Sequence, residues 1–345
     1  MTAPTRLRLR DRVARVAELV ATPLVPADFV DLVSPLRNPA VLRARIATIT
    51  PETADAATIE LKPGKGWRGH VPGQYVRIGV DVDGVRQWRS YSITSAGHQT
   101  FTITVKAMGL VSDFLVRRAA PGLVVQLDQA AGDFVLSEAP NKVLFVTAGS
   151  GITPVMGMLR STALDDVVLV HSAPTSDDVI FADELRAMAA DGRLTLVELH
   201  TATDGRLTVE QLEELVPDVA ERELWACGPS GLLDLLEAWW PGELRTERFR
   251  PTFLVTGEGG SVTFSRTGTT VAADGATPLL TTGESAGVLM PFGCRMGICF
   301  GCVLPLREGV VRDLRTGDIT TAAVGDGVLI QTCISAAAGD CDLDV

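Results

Sequence analysis

Phe292-Gly293-Cys294-Arg295-Met296-Gly297-Ile298-Cys299-Phe300-Gly301-Cys302 sets three thiols in the spacing C-x4-C-x2-C, and a fourth, Cys333, follows in Gln331-Thr332-Cys333-Ile334-Ser335. Four cysteine thiolates in that spacing are a ligand set for a 2Fe-2S cluster. Gly293, Gly297 and Gly301 stand between the thiols, where a loop must fold around inorganic sulfide and turn backbone N–H groups toward it; glycine permits that approach without steric cost. Structural zinc is the competing reading, but it usually pairs two C-x2-C units or adds histidine. Here one spacing is C-x4-C, and no histidine lies beyond His200. The pattern predicts Cys294, Cys299, Cys302 and Cys333 as metal ligands in a cluster that carries single electrons. Cys341 is the other candidate for the fourth position. Cys333 is preferred because it closes the apolar run from Gly327 to Thr332, and a strand end is a rigid place for a ligand, whereas Cys341 falls in an acidic tail expected to fray.

The cysteine loop lies in a segment, about 251–345, that reads as strands, then the loop, then short elements. Between 253 and 345 ten acids outnumber five arginines. Ahead of it, from 139 to 250, apolar strands alternate with helices: Val143–Val146, Val167–Val170, Leu194–Leu199 and Glu223–Cys227, with helices expected at 154–162, 181–190, 208–215 and 230–239. Near-continuous apolar strands joined by helices predict a parallel sheet covered on both faces. From 41 to 138 the signals are short strands at 44–50, 57–61, 74–80, 88–93 and 100–105, separated by turn residues such as Pro63-Gly64, Pro72-Gly73 and Asp83-Gly84. That is the pattern of an antiparallel barrel or sandwich. The fold class is therefore multidomain.

Residues 1–40 form a lead segment with Leu9, Val13, Val16, Leu19 and Val20 at helical intervals. Five arginines (6, 8, 10, 12, 15) stand against Asp11 and Glu18, and prolines at 23, 26, 35 and 39 end the pattern. It reads either as a helix packed on the main body or as a surface helix that approaches an anionic membrane or an acidic partner.

With 345 residues and 46% apolar content the chain can fill two or three cores. A net charge of -11, without runs of Lys and Arg, excludes a nucleic-acid surface, leaving small molecules and proteins as partners. Four of the six cysteines are assigned to one site and Cys227 sits alone in a Cys-Gly-Pro turn, which fits a reducing cytosol rather than a disulfide framework. No apolar stretch approaches 18 residues and no signal peptide is evident, so a soluble, cytoplasmic protein is expected.

Three further motifs carry chemistry. Arg89-Ser90-Tyr91-Ser92 puts a guanidinium, an aromatic face and small hydroxyls on one strand, where alternation points Arg89 and Tyr91 the same way. Gly109-Leu110-Val111-Ser112 precedes a helix starting at Ser112-Asp113 that would present N–H groups and the Ser112 hydroxyl to a diphosphate. Thr147-Ala148-Gly149-Ser150-Gly151-Ile152-Thr153-Pro154 follows the first parallel strand and opens a helix, the place where open α/β sheets bind nucleotides. It departs from G-x-G-x-x-G, so a plain tight turn stays open for it. Cys227-Gly228-Pro229 ends the fourth strand on the same rim.

In this order the motifs resemble the ferredoxin-NADP reductase superfamily, and specifically the three-domain oxygenase reductases in which flavin, nicotinamide and plant-type ferredoxin modules share one chain. The resemblance covers residues 41 to 345. It implies a flavin-binding β-barrel over 41–138, an NAD(P)-binding α/β domain over 139–250 and an α+β ferredoxin-like (β-grasp) 2Fe-2S domain over 251–345. It further implies that Arg89 pairs the flavin phosphates, Tyr91 stacks on the isoalloxazine, and Ser92 bonds near its N5. Ser90, Val105, Lys106, Gly109, Val111 and Ser112 complete that site. Gly149, Ser150, Gly151, Ile152, Thr153 and Pro154 would bind the dinucleotide with Gly228 and Pro229, Cys227 would flank the hydride path, and Glu247 would join Ser92 and Cys227 in catalysis. Phe249 covers the other flavin face in this reading, or else packs the domains together.

Electrons would pass from NAD(P)H through FAD, or FMN as in one branch, to the cluster and on to an oxygenase or desaturase. The N-terminal segment is similar to that of actinobacterial reductases serving membrane diiron desaturases, which favours such a desaturase or an alkane hydroxylase and places the protein near a membrane through its acceptor. A Rieske dioxygenase or haem monooxygenase is the alternative acceptor, and a redox sensor without electron output the alternative function. The stretch His200-Thr201-Ala202-Thr203-Asp204-Gly205-Arg206 lacks the Ser-Arg or Thr-Arg of NADPH-using relatives, so the choice between NADH and NADPH stays open.

Overall fold

Strand β1 (Arg43–Thr53) turns at Ala54-Asp55 into β2 (Ala56–Pro63), and the two pair antiparallel over Ala44–Thr53. The computed structural model describes residues 34–37, 41–82, 84–97, 99–136, 142–249, 255–293, 295–297 and 300–345. Apart from 34–37, the helical reading of 1–40 lies outside the described residues, as do Cys294 and Cys299. With β3 (Tyr75–Val82), β4 (Val85–Ser92), β5 (Phe101–Lys106) and β6 (Val124–Leu127) the first sheet runs β4-β3-β6-β1-β2-β5, antiparallel throughout. It closes on itself where the chain leaving β4 meets β5, through the Ile93–Ile103 bridge and the Thr94 N–H to Thr102 O bond of 2.8 Å. Alternate residues, among them Ile46, Ile59, Ile78 and Ile103, fill its interior. Helix α1 (Leu110–Arg117) plugs one side with Val111 and Leu115. The five strands expected here are all present; β6 was not anticipated.

The second sheet is parallel, in the order β11-β10-β7-β8-β9. Its strands are β7 (Lys142–Ala148), β8 (Asp166–Ala173), β9 (Thr195–His200), β10 (Glu223–Cys227) and β11 (Leu244–Glu247), with helices α2 (Ile152–Ser161), α3 (Ala182–Ala190), α4 (Val209–Leu215) and α5 (Ser230–Trp239) between them. Period-two alternation sends Val143, Phe145, Leu169 and Trp225 to one face and Leu144, Val146, Val168 and Leu224 to the other, so two cores cover the sheet. Helix α2 is clasped to the first sheet: Arg160 donates to Thr94 O at 2.7 Å while pairing with Glu184 of α3.

The third sheet, β13-β12-β17-β14-β15 with β16 paired to β14, is mixed. It comprises β12 (Gly260–Phe264), β13 (Thr269–Ala273), β14 (Val303–Asp313), β15 (Ile319–Ala322), β16 (Leu329–Gln331) and β17 (Ser335–Leu343), and packs α6 (Leu279–Ser285) over Phe264 and Leu304. The C-terminal tail is not frayed. Strand β17 is the centre of the sheet, parallel to β12 and antiparallel to β14, and Cys341 is buried within it. Its Ala-rich, acidic sequence has low strand propensity; two partner strands override it.

Candidate functional site

The three sheets converge on one cleft of about 610 Å³. The first sheet contributes Arg89, Ser90, Tyr91, Ser92, Thr104, Lys106 and the turn into α1; the second contributes Ser150 and Thr153; Phe249 follows; the third contributes Leu280, Arg295, Met296 and Cys333. Strict alternation would have given the cleft only Arg89 and Tyr91. All four residues of the motif reach it because β4 itself is ladder-paired on one side only, to β3, the barrel closing just beyond its end at Ile93, so that its open side as well as one face borders the cleft.

Within the cleft three buried hydroxyls, Ser90 Oγ, Tyr91 OH and Ser92 Oγ, have no hydrogen-bond partner. Native proteins rarely leave such groups unmatched, so these mark where a ligand's polar atoms belong. Burial raises the Tyr91 phenol far above its usual range and keeps it a neutral donor. Arg89 gives one N–H to Trp88 O at 2.7 Å, and burial, then the field of Arg295, lowers its pKa. Lys106 is held by Asp55 at 2.7 Å. Val105 faces the barrel core, so its side chain makes no part of the cleft. The Ser112 hydroxyl is turned inward, accepting from Met108 N at 2.9 Å and donating to Gly109 O at 3.0 Å, because α1 begins at Leu110 rather than at Ser112. It braces the turn, and the residue still lines the cleft.

At the carboxyl end of β7 the chain enters Gly149–Gly151, a single tight turn, and then α2. Gly149 has φ 54°, and a Cβ on Gly151 would stand 2.1 Å from Cys227 O, so the turn lies directly on the end of β10. Thr153 Oγ1 closes it by donating to Ser150 O at 2.9 Å, while Ile152 and Pro154 are buried in the core beneath. Cys227 and Glu247 are register partners on β10 and β11. Cys227 is buried and its thiol pKa is pushed well up by burial and by Glu247. Burial likewise pushes the Glu247 carboxyl up to about 8, against a lowering by the nearby Ser92 hydroxyl, which stops short of hydrogen-bond geometry. Pro229 leads into α5, and Gly228 packs against Ala148. In the 200–206 stretch, Asp204 turns back to accept from His200 N at 2.7 Å, leaving Thr201 and Arg206 exposed on the rim.

Cys302 and Cys333 come together beside this cleft. Thr332 N and Oγ1 both donate to Cys302 O, at 3.2 and 2.9 Å, and a hydrogen bond from the Cys333 side chain holds the Cys302 thiol below its ordinary range. Cys341, across β17, has its thiol pushed up to about 12 by burial and by Asp340 and Asp342, an environment hostile to a thiolate.

Two contributors escaped the sequence reading. Arg295 lies inside the cysteine loop, where only thiols and glycines were weighed. His171 of β8 is fully buried and shares a 2.8 Å hydrogen bond with Thr147, the residue that leads into the Gly149 turn. Burial pushes its pKa down to about 4, while an unfolded histidine takes its proton near 6.5. The unfolded chain therefore binds the proton first. The contribution of His171 to stability is full above about pH 6.5 and falls, by roughly 3 kcal/mol, as the pH drops to 4, set against the raised Glu247 carboxyl, whose contribution grows as the pH falls below 8. Urea titrations at pH 7, 5.5 and 4 check this, and His171→Asn should flatten the slope; an unchanged slope assigns it elsewhere.

A closed antiparallel barrel, a parallel sheet with a glycine turn at its carboxyl rim and a cleft between them define a nicotinamide-nucleotide oxidoreductase. The model for the oxidoreductase NAD-binding domain matches residues 145–237. An NADPH oxidoreductase of Mycobacterium tuberculosis is 47% identical, across 96% of this chain and 91% of its own length. The glycine betaine monooxygenase reductase subunit of Pseudomonas aeruginosa is 30% identical, over 79% and 86%. Phthalate dioxygenase reductase, a modular structure for electron transfer from pyridine nucleotides to [2Fe-2S], shares the fold with a TM-score of 0.59 at 22% identity, over 88% of this chain and 98% of that one. The chain belongs to the NAD(P)H-dependent electron-transfer oxidoreductases represented by these relatives, and it has the fold of phthalate dioxygenase reductase. Among the described residues no helix is long and apolar enough to cross a membrane.

Proposed function

We propose that this chain draws electrons from NADPH and delivers them singly to an oxygenase or desaturase, using FAD in the barrel cleft and a 2Fe-2S cluster in a ferredoxin-like (β-grasp) module over 251–345. The observation that carries this reading is the single cleft onto which Tyr91, Ser150 and Cys333 open from three different sheets. The unmatched hydroxyls of Ser90, Tyr91 and Ser92 fit a flavin's heteroatoms, and the paired thiols of Cys302 and Cys333 fit a thiolate-ligated cluster completed by Cys294 and Cys299. When bound, the flavin takes a nicotinamide's electrons as a pair and releases them one by one, and the cluster relays single electrons.

The protein's own part is placement and exclusion of water. Arg89 binds phosphate, Tyr91 offers its ring and hydroxyl to the flavin, and the N–H groups of Gly149–Gly151 at the start of α2 meet the dinucleotide's pyrophosphate. Cys227, Glu247 and Ser92 line the approach of the nicotinamide in a dry environment. Glu247 holds its proton at neutral pH and loses it above about 8. Flavin reduction by NADPH should therefore slow above pH 8, and Glu247→Gln should remove that alkaline limb in stopped-flow traces. A limb of the same shape in the variant places the titrating group elsewhere.

NADPH is favoured over NADH by the 47% identical NADPH oxidoreductase. A membrane diiron desaturase or alkane hydroxylase is the favoured acceptor on the likeness of residues 1–40. The excess of acids over 253–345 suits a basic docking patch on it. Anaerobic stopped-flow mixing with NADPH and with NADH, followed at flavin and cluster wavelengths, tests the whole reading. Protein that purifies colourless, without flavin, iron and acid-labile sulfide, ends it.

A further inference from the structure

Arg295 lines the cleft but has no task in the electron path. Its backbone takes φ 60°, and both carboxylate oxygens of Glu284 on α6 grip its guanidinium, Nη1 to Oε2 at 2.8 Å and Nη2 to Oε1. The guanidinium also lies over the Phe292 ring, 4.7 Å from its centroid, and its Nε is buried without a hydrogen-bond partner. Arg89 belongs to the same cleft, close enough that the field of Arg295 acts on it. The cations there are thus Arg89, Lys106 and Arg295, against the carboxylates of Asp55 and Glu284. Arg89 has no carboxylate partner among the described residues. In a chain of net charge -11, two arginines from different sheets share one partly buried cavity with a charge surplus. A positive surplus in a partly buried cavity favours an anion there, and guanidinium forks suit phosphate oxygens.

We propose that Arg295 is a second phosphate-binding residue of the flavin site, so that the phosphate of the bound flavin is shared by Arg89 of the barrel and Arg295 of the cysteine loop. This rests on the reading of the cleft as a flavin site. The cofactor then fastens the third sheet onto the first, and Glu284 sets the strength of the fastening by withholding part of the Arg295 charge. A flavin without phosphate fills the ring pocket and leaves the fastening unmade.

The full-length protein freed of flavin is titrated with riboflavin, FMN and FAD by flavin fluorescence quenching. Arg295→Gln should weaken FMN and FAD about tenfold, the value of one charge-assisted phosphate contact, and leave riboflavin within twofold; Arg295→Lys should restore part of the loss. Glu284→Gln, on α6 and outside the cysteine loop, should act in the opposite direction and tighten FMN and FAD a few-fold without touching riboflavin. In the wild type, FMN but not riboflavin should slow hydrogen exchange of the backbone around Met296 and Gly297. The proposal is overturned by an equal loss for riboflavin and FMN in Arg295→Gln, by no loss, by weakening confined to NADPH, or by Glu284→Gln loosening FMN. Wild-type protein that binds none of the three flavins removes the flavin reading itself, a result distinct from all of these.

Discussion

Cys302→Ser is expected to abolish electron output to one-electron acceptors while flavin reduction by NADPH continues. The residue is buried and touches Cys333, but the hydrogen bonds that hold its position run from Thr332 to its backbone carbonyl, which serine keeps. The barrel and the parallel sheet have cores of their own and do not depend on this thiol. What disappears is a soft anionic ligand that a hydroxyl at neutral pH replaces poorly. Changes to outer-sphere partners of metal sites cost about 10- to 100-fold, so loss of a ligand should lower cytochrome c reduction by more than ~100-fold, together with iron and acid-labile sulfide. Anaerobic bleaching of the flavin by NADPH should stay within about twofold of the parent, since the dinucleotide turn and Cys227 lie on the second sheet. Cytochrome c turnover at the parental rate would show that the flavin passes electrons out without the cluster, and the proposed path would be wrong.

The residues that fix the fold were legible where local pattern and tertiary role agree. Val143–Val146 and Val167–Val170 are continuous apolar runs because both faces of their sheet are covered, and α5 falls at 230–239 as expected. Strand β11, Leu-Arg-Thr-Glu, carries no such pattern: it is a four-residue edge strand, defined by pairing with β10 and by nothing in its own sequence. Yet that pairing sets Glu247 beside Cys227 and makes its burial, and so its high pKa, intelligible. Strand β17 was misread for the same reason.

The candidate site divides in the same way. The Gly149–Gly151 turn and the Arg89–Ser92 strand could be found from residue type and position. That Ser112 spends its hydroxyl on its own turn, and that Arg295 reaches a cleft begun two hundred residues earlier, depend on contacts between segments far apart in the chain.

Gly151→Ala tests the contact on which nucleotide binding depends in the proposed function. The added methyl would lie 2.1 Å from Cys227 O, 2.5 Å from Cys227 C and 2.9 Å from Gly228 N, all backbone atoms at the end of a central parallel strand. None can rotate away, so either α2 lifts from the sheet or the Cys227 peptide retreats. Overpacking of this kind costs about 1–3 kcal/mol in stability. The functional loss should be larger, because both segments that would move are those proposed to meet the dinucleotide, and a misplacement of about 1 Å can cost on the order of 100-fold in rate. NADPH affinity and the rate of flavin reduction should both collapse, while flavin content and cluster absorbance persist. Gly149→Ala supplies the comparison: a Cβ there meets nothing within 4 Å, and the cost is confined to holding alanine at φ 54°, about 1–2 kcal/mol. It should lower stability modestly and leave NADPH binding within a few-fold. Equal damage from the two substitutions would mean that turn conformation, and not the packing of the turn against Cys227, governs the nucleotide site.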